Sequence, residues 1–245
     1  MIFLALAVAV SPSSLLQKEK VSGIVAVVDV RNGELVASAG NIDGERLLPL
    51  SLMKVVLAAS ALEHGVDGGA QEMLVASSDD AARAVAVQVR KVASSQAVLT
   101  DVRRYGFRIS LPEEASDAEW AETFSLGEKN VMVTALEVAK FFRLVGSDTA
   151  RVLNDSTKLR LRQALLEVVQ RGTAKEIRGR VVNGKIGGKT GTGPGPGTDG
   201  WFAGLIFGAD GQPRFAFATY VRKGGPGGGT AARISADLAN SLLSR

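Results

Sequence analysis

Apolar and polar positions follow two different periods along this chain. Residues 22–30 are apolar and rich in β-branched side chains, residues 31–34 contain an Asn-Gly pair, and residues 35–40 continue in an extended pattern. Two extended runs around an Asn-Gly turn predict a β-hairpin. Further extended runs, separated by turns rich in Gly and Pro, are predicted at 181–182, 185–192, 199–207 and 213–222.

The middle of the chain has the spacing of amphipathic helices. Residues 51–64 contain no helix-breaking residue before Gly65, so they are predicted to form one helix. Residues 112–125 are acidic and are interpreted as loop and turn. Further helices are predicted at 71–76, 80–104, 131–145, 156–171 and 229–244.

The order of these elements predicts the fold class. Strands from both ends of the chain, within 21–48 and 175–245, would form one antiparallel sheet, and the helices at about 55–172 would form a separate lobe. An antiparallel sheet with segregated helices is an α+β arrangement. We therefore expect an α+β fold, with an antiparallel sheet flanked by helices plus an all-helical lobe, as a single domain over residues 17–245.

Residues 1–16 begin with ten consecutive apolar residues. This run is too short to span a bilayer, and no basic residue precedes it as one would in a signal peptide. Two interpretations stay open. The segment is either an export signal or anchor remnant, or an element that packs on the domain.

The composition excludes several kinds of chemistry but does little to distinguish between fold classes. Hydrophobic residues make up 46% of the chain and charged residues 22%, an ordinary globular balance. The 29 Lys and Arg residues exceed the 25 Asp and Glu residues only slightly, so the charge does not favour a nucleic-acid partner. Absence of Cys excludes disulfides and thiolate chemistry, and a single His disfavours a zinc site. We expect neither a metal nor a cofactor.

Ser51 and Lys54 form the first candidate site. Residues three apart on a helix share a face, so the Lys54 amine can reach the Ser51 hydroxyl. A serine hydroxyl becomes a good nucleophile only when a neighbouring base takes its proton. The one histidine, His64, is placed at the far end of the same predicted helix, which makes Lys54 the candidate base. Lysine can serve if apolar burial or a second cation disfavours its charged form.

Two further clusters carry polar groups. Ser77-Ser78-Asp79-Asp80 punctuates the helical region, where it could also cap a helix. Residues 187–192, Gly-Gly-Lys-Thr-Gly-Thr, lie on a predicted strand. Glycines beside a strand allow close approach of another backbone. Lys189, the Thr190 and Thr192 hydroxyls and the strand N–H groups are suited to hold a carboxylate and a developing oxyanion.

In this order, Ser-x-x-Lys, a Ser/Asp cluster and Lys-Thr-Gly resemble the signature of penicillin-interacting serine enzymes. The chain is most similar to the transpeptidase domain of penicillin-binding proteins of the class B type. The resemblance covers roughly residues 22–243. Three further segments carry it: residues 123–139, which contain Ser125-Leu126-Gly127, residues 168–174 (VVQRGTA), and residues 199–204 (DGWFAG).

The resemblance implies a role for each motif residue. Ser51 is the acylated nucleophile and Lys54 its base. The middle cluster supplies a hydroxyl that relays a proton and a polar side chain that orients Lys54, and two registers fit, Ser77/Asp79 or Ser78/Asp80. Lys189 and Thr190 hold the substrate carboxylate, Gly191 belongs to the same motif, and the oxyanion hole is formed by the N–H groups of Ser51 and Thr192.

The implied substrates are D-Ala-D-Ala stem peptides of peptidoglycan, with β-lactams as inhibitors, and no nucleic acid. The implied location is the cell envelope, secreted or anchored, with cell-wall synthesis proteins as further partners. The middle motif usually ends in Asn, whereas here it ends in Asp, which would favour the ammonium form of Lys54. The segment 65–76 is also shorter than in the family, so one wall of the cleft would be trimmed.

Three functions remain open on the sequence. The first is a D,D-transpeptidase or carboxypeptidase. The second is a serine β-lactamase, although the Glu-x-x-x-Asn and Tyr-Gly-Asn signatures of such enzymes have no convincing match here. The third is a non-catalytic penicillin-binding module that acts as a sensor or scaffold.

Overall fold

A computed structural model describes residues 10–108, 116–127 and 131–244. Five strands form one antiparallel sheet in the order β2-β1-β5-β4-β3. Pairing of β1 with β5, with Val25 opposite Thr219, joins the N-terminal hairpin to the C-terminal strands. The prediction of a single sheet from both ends of the chain is thus confirmed. The strands are β1 (Ser22–Asp29), β2 (Leu35–Ala39), β3 (Lys185–Thr192), β4 (Gly200–Phe207) and β5 (Pro213–Arg222).

The helices of the described residues occupy both sides of this sheet. Two single turns of 3₁₀ helix, Leu50–Leu52 and Lys175–Ile177, accompany them. Helix α4 bends at Ser94, whose φ of 64° is not helical. The helices are α1 (Pro12–Lys18), α2 (Met53–Glu63), α3 (Ala70–Ala76), α4 (Asp79–Arg104), α5 (Asp117–Leu126), α6 (Ala135–Gly146), α7 (Asp155–Gln170) and α8 (Thr230–Leu243).

Alternation of side chains along the strands gives the sheet two apolar faces. On one face, Val25 and Phe217 belong to a core that includes residues of α1 and α8. On the other face, Ala26 and Ala218 belong to a larger core built with α2, α6 and the other helices of the lobe. This arrangement confirms the predicted α+β class, an antiparallel sheet flanked by helices plus a helical lobe.

The prediction of loop and turn over residues 112–125 was wrong for its second part, because residues 117–126 form helix α5. Ser116 caps this helix, and its hydroxyl accepts a hydrogen bond from the Glu119 N–H while the Glu119 carboxylate accepts from the Ser116 N–H. This reciprocal capping box satisfies two N-terminal donors. Burial of Trp120 and Phe124 fixes the helix on the lobe. Residues 109–115 lie outside the described part of the chain.

The predicted strand at 181–182 was also wrong. Val182 is 80% exposed, and its N–H donates to the Asn240 side chain at 2.9 Å instead of to a neighbouring strand. β3 begins only at Lys185. A pair of β-branched residues is too short a signal when no strand lies beside it to accept the backbone hydrogen bonds.

The N-terminal segment can be described only in part, since residues 1–9 of the predicted signal or anchor lie outside the described residues. Helix α1 begins after Ser11, which accepts from the Ser14 N–H at 3.1 Å. Leu15 and Leu16 of this helix are buried against the sheet and α8. Within the described ranges, no helix is both long and apolar enough to cross a membrane.

Candidate active site

Ser51 lies on the 3₁₀ turn that leads into α2. The predicted helix over 51–64 therefore begins with a tighter turn and continues as the α-helix Met53–Glu63. This helix is buried on nearly all sides, and the Lys54 side chain on its first turn has no exposed area. Ser51 itself is half-buried. Among the described residues, its hydroxyl has no hydrogen-bond partner, so it remains available to an incoming group.

The turn that carries Ser51 is held in a strained conformation. Leu50 has a φ of +54°, which costs a residue with a side chain about 1–2 kcal/mol. Its N–H donates to the Gly127 carbonyl at 3.3 Å. Gly127 ends α5 with a φ of +62°, and a Cβ there would lie 2.3 Å from the Leu50 carbonyl oxygen. Glycine at 127 therefore permits the close approach that positions Leu50 and the following serine.

The middle cluster reaches Lys54 from the loop between α3 and α4. The Lys54 amine donates to the Ser77 carbonyl at 2.7 Å and to the Asp79 carboxylate at 2.5 Å, and it lies 3.4 Å from the Ser77 hydroxyl. Ser77 takes a left-handed conformation, with a φ of 56°, between the two helices. This geometry turns both the carbonyl and the hydroxyl of Ser77 towards the amine.

Ser78 and Asp80 have different neighbours. The Ser78 hydroxyl caps α4 by accepting from the Ala81 N–H at 3.2 Å. Asp80 is exposed and pairs with Arg83 at 3.1 Å. Of the two registers that the sequence allows, only Ser77 and Asp79 contact Lys54 in this structure, while the alternative residues act at the start of the helix.

The Lys189 side chain approaches the Ser77 hydroxyl from the sheet. Its amine donates to the Ser77 hydroxyl at 2.8 Å and to the Thr190 carbonyl at 2.9 Å. The side chain is fully buried. Burial, together with the charge of Lys54, lowers the pKa of Lys189 well below its usual value, and the Asp79 carboxylate opposes this only in part. The Ser77 hydroxyl therefore lies between two amines, which is the arrangement a proton relay requires.

The remaining residues of the strand motif line the same end of β3. The Thr190 hydroxyl lies 2.7 Å from the Thr173 hydroxyl, and the Thr192 hydroxyl accepts from the Gly227 N–H at 3.2 Å. At Gly191, a Cβ would lie 3.3 Å from the Pro49 carbonyl oxygen, so glycine lets β3 pass close to the turn of Ser51. β3 is the last strand of the sheet, and within the described residues no further strand pairs with its outer edge.

The arrangement combines a serine on a fixed turn, two buried amines, a bridging hydroxyl and a strand edge. These groups can supply a nucleophile, a base, a proton relay and a binding site for an anion. Among the described residues, no group of three or more His, Cys, Asp or Glu side chains is placed to hold a metal ion.

Sequence reasoning did not identify three contributors to this site. Leu50 gives no sequence signal, because its strained backbone becomes visible only in three dimensions. Gly127 and Thr173 lie in two of the segments that resemble the family, 123–139 and 168–174, but the sequence predicts no contact for either residue. No local pattern predicts the contact of Thr173, because it depends on how the turn after α7 packs against β3.

Comparison with protein families gives one match, in which residues 96–243 fit the penicillin-binding protein transpeptidase domain. This span contains the Lys189 motif but begins after Ser51, Lys54 and the middle cluster. No curated protein is significantly similar to the chain.

Solved structures give many matches of low sequence identity. The transpeptidase domain of the FtsI4 D,D-transpeptidase from Legionella pneumophila is 19% identical, with a TM-score of 0.78 and coverage of 94% of this chain and 92% of that one. The D,D-transpeptidase domain of a peptidoglycan glycosyltransferase from Eggerthella lenta is 19% identical, with a TM-score of 0.76 and coverage of 95% and 81%. A ceftriaxone acyl-enzyme complex of penicillin-binding protein A from Mycobacterium tuberculosis is 16% identical, with a TM-score of 0.74 and coverage of 91% and 74%.

Proposed function

Because the chain belongs to the family of penicillin-binding protein transpeptidase domains, we propose that it is a serine D,D-transpeptidase or carboxypeptidase that acts on D-Ala-D-Ala stem peptides of peptidoglycan. The observation that carries the proposal is the Ser77 hydroxyl, which lies 2.8 Å from the Lys189 amine and 3.4 Å from the Lys54 amine. Groups from three separate motifs thus meet at the Ser77 hydroxyl.

In the first step, Ser51 attacks the carbonyl carbon of the bond between the two D-Ala residues. Lys54, which is buried on the first turn of α2, takes the hydroxyl proton. An ester bond forms to Ser51 and the C–N bond breaks. The leaving D-Ala amine receives a proton through the Ser77 hydroxyl. An acceptor amine, or water in a carboxypeptidase, then attacks the ester and releases Ser51.

Recognition uses the end of β3. Lys189 and Thr190 hold the terminal carboxylate of the substrate, and Gly191 leaves room for it. The N–H groups of Ser51 and Thr192 stabilise the oxyanion. Thr192 is suited to this role because it ends β3, which is an edge strand. The contacts of Ser77 and Asp79 with Lys54 support the first register of the middle motif in these assignments.

The inhibitors in this proposal are β-lactams, which carry a carboxylate and an acylating carbonyl. Among the structural neighbours, penicillin-binding protein A of Mycobacterium tuberculosis was solved as a ceftriaxone acyl-enzyme and penicillin-binding protein 3 of that organism in complex with aztreonam. We place the domain in the cell envelope, secreted or anchored, with cell-wall synthesis proteins as further partners.

One observation favours a second candidate, a non-catalytic penicillin-binding sensor or scaffold. The Asp79 carboxylate lies 2.5 Å from the Lys54 amine, and an amine engaged with a carboxylate is less free to accept the Ser51 proton. Acylation would then be slow although the β-lactam still binds.

A serine β-lactamase would need a base that activates water beside the Ser51 ester. The acidic segment around α5 could supply such a base. Within it, Glu119 is engaged in the capping box of α5, and Glu122 is exposed. Glu113, Glu114 and Glu128 lie outside the described residues. We therefore expect an acyl-enzyme that persists long after it forms.

Incubation with a fluorescent penicillin tests these candidates directly. The transpeptidase proposal expects one equivalent of label on Ser51, a loss of labelling in Ser51→Ala, and slow release of the label. Ser78→Ala serves as the matched control, since Ser78 caps α4 and should leave labelling unchanged. Steady hydrolysis on the order of 10 per second would instead establish a β-lactamase, and binding without covalent label would establish the sensor or scaffold.

A further inference from the structure

Thr173 lies on the turn that follows α7. Its hydroxyl is 2.7 Å from the Thr190 hydroxyl. Thr190 is buried whereas Thr173 is exposed. In the described part of the chain, neither hydroxyl has another hydrogen-bond partner. Two hydroxyls carry two protons, and their mutual bond uses only one of them, so the pair retains one free donor.

The backbone around Thr173 is tightly enclosed. At Gly172, a Cβ would lie 2.5 Å from the carbonyl oxygen of Val75 in α3, and at Gly228 a Cβ would lie 2.1 Å from the Thr173 carbonyl oxygen. The buried Ala174 donates its N–H to the Val168 carbonyl at 3.1 Å. The Thr173 hydroxyl is therefore presented by a turn packed between α3 and the Gly-rich loop before α8, which limits the positions it can take.

The charge around the pair favours an anion. The amine of Lys189 donates at 2.9 Å to the backbone carbonyl of Thr190, the residue that carries one of the two hydroxyls. In addition, β3 is the edge strand of the sheet. A carboxylate has two oxygens that can accept from two neighbouring donors, and hydrogen bonds to a charged acceptor are stronger than those between neutral groups.

We propose that Thr173 is a further substrate-binding residue, which shares with Thr190 the terminal carboxylate of the substrate and sets the direction of the Thr190 hydroxyl. The inference rests on the proposed function for the identity of the ligand. It adds a residue from the turn after α7 to a binding site that the strand motif alone would form from β3.

The test measures non-covalent binding in the Ser51→Ala background, where no acylation interferes. Benzylpenicillin is compared with its methyl ester, which lacks the negative charge, by isothermal titration calorimetry. Adding Thr173→Val removes the hydroxyl and keeps the β-branched shape, whereas Thr173→Ser keeps a hydroxyl. Thr100→Val is the matched control, because the Thr100 hydroxyl bonds only to the Gln96 carbonyl on α4.

We expect Thr173→Val to weaken binding of the acid about tenfold, since one hydrogen bond to a charged group is lost. Binding of the ester should stay unchanged, and Thr173→Ser and Thr100→Val should stay within twofold of the Ser51→Ala parent for both ligands. If Thr173→Val unfolds, Thr173→Ala provides the same comparison without a branched side chain.

Equal losses for acid and ester, or no loss for the acid, would overturn the assignment of Thr173 to the carboxylate. The assignment would also fall if the Ser51→Ala parent did not distinguish the acid from the ester. Failure of the proposed function has a different signature. In that case penicillin would not acylate Ser51 in the unsubstituted chain, although the acid would still bind more tightly than the ester in Ser51→Ala.

Discussion

Lys54 on α2 and Lys189 on β3 are both fully buried, and both amines approach the Ser77 hydroxyl. The two amines differ in the charge of the groups that they contact. On the helical side, the Lys54 amine contacts the carboxylate of Asp79 at 2.5 Å. On the sheet side, the Lys189 amine contacts only neutral acceptors, the Ser77 hydroxyl and the Thr190 carbonyl. Among the described residues, the Lys54 amine is in contact with a counter-charge, whereas the Lys189 amine interacts with the same Asp79 carboxylate only without direct contact.

This difference indicates which side of the cleft is arranged for an anionic ligand. A buried cation without a counter-ion is costly, and burial lowers the pKa of Lys189 well below its usual value. A bound carboxylate would supply the missing negative charge. On the helical side, Asp79 already supplies a negative charge in contact with the Lys54 amine.

The largest effect should come from Lys54→Arg, which retains the positive charge but replaces a group that can lose its proton by one that cannot. We expect the substitution to abolish penicillin labelling of Ser51, measured by fluorescence after electrophoresis. Lys158→Arg is the matched control, since Lys158 is equally buried but bonds to the Ala150 carbonyl outside the cleft. Labelling of Lys54→Arg at the parental rate would show that Lys54 is not the base.

Lys189→Ala should have the second-largest effect, and it should depend on the charge of the ligand. Loss of one hydrogen bond to a charged group costs about 1.5–3 kcal/mol, or one to two decades in the acylation efficiency of a β-lactam that carries a carboxylate. A neutral ester should lose far less, because it makes no such contact. Stopped-flow acylation of both substrates provides the measurement, and equal losses would assign Lys189 to the chemistry or to the fold instead.

Asp79→Asn would make the two sides of the cleft alike by removing the internal counter-charge. The Lys54 amine then no longer contacts a carboxylate, so labelling should proceed severalfold faster near neutral pH. We expect an effect of about 1 kcal/mol, because Asp79 is 54% exposed and water screens its charge.

Asp80→Asn is the control for this substitution. Asp80 is the neighbouring carboxylate, and it pairs with Arg83 outside the cleft. Acylation rates measured between pH 6 and 9 should separate the two variants. A slower Asp79→Asn would mean that the carboxylate orients Lys54 for acylation and does not restrain it.

Much of the fold could be predicted from the sequence because strong local patterns coincide with the elements. The extended runs predicted at 185–192 and 213–222 match β3 and β5, and the segment 156–171 matches α7. The helix predicted over 131–145 begins only at Ala135, because Val133 pairs with Leu47 in an isolated β-bridge. Helix α5 was missed because its capping box lies in an acidic segment without a long apolar run. The apolar pair 181–182 was assigned to a strand because sequence alone does not show which neighbours are present.

The sequence motifs predict which residues belong to the site, but they do not predict most of the contacts between those residues. Spacing on one helix brings Ser51 and Lys54 together, but no local pattern shows that Ser77 and Asp79, rather than Ser78 and Asp80, contact the amine. That choice depends on the left-handed conformation of Ser77, with a φ of 56°. The contact between Thr173 and Thr190 likewise depends on how α7 packs against β3, which is a tertiary property that periodicity does not contain.

The smallest predicted effect concerns stability and follows from the uncompensated charge of Lys189. Its pKa in the folded chain lies below the reference value of 10.5. Between these two values the unfolded chain binds a proton that the folded chain does not, so the free energy of unfolding rises with pH across this window and is constant below it.

Lys189→Met keeps the length of the side chain without an ionisable group and should therefore be more stable near neutral pH. The expected gain is about 1 kcal/mol, or a rise in Tm of roughly 2–4 °C, and it should shrink as the pH approaches 10.5. Lys185→Met, at the exposed beginning of the same strand, should change Tm little at any pH. If Lys189→Met were less stable than the parent at neutral pH, Lys189 would be held as a compensated charge, and the proposed contrast between the two sides of the cleft would be wrong.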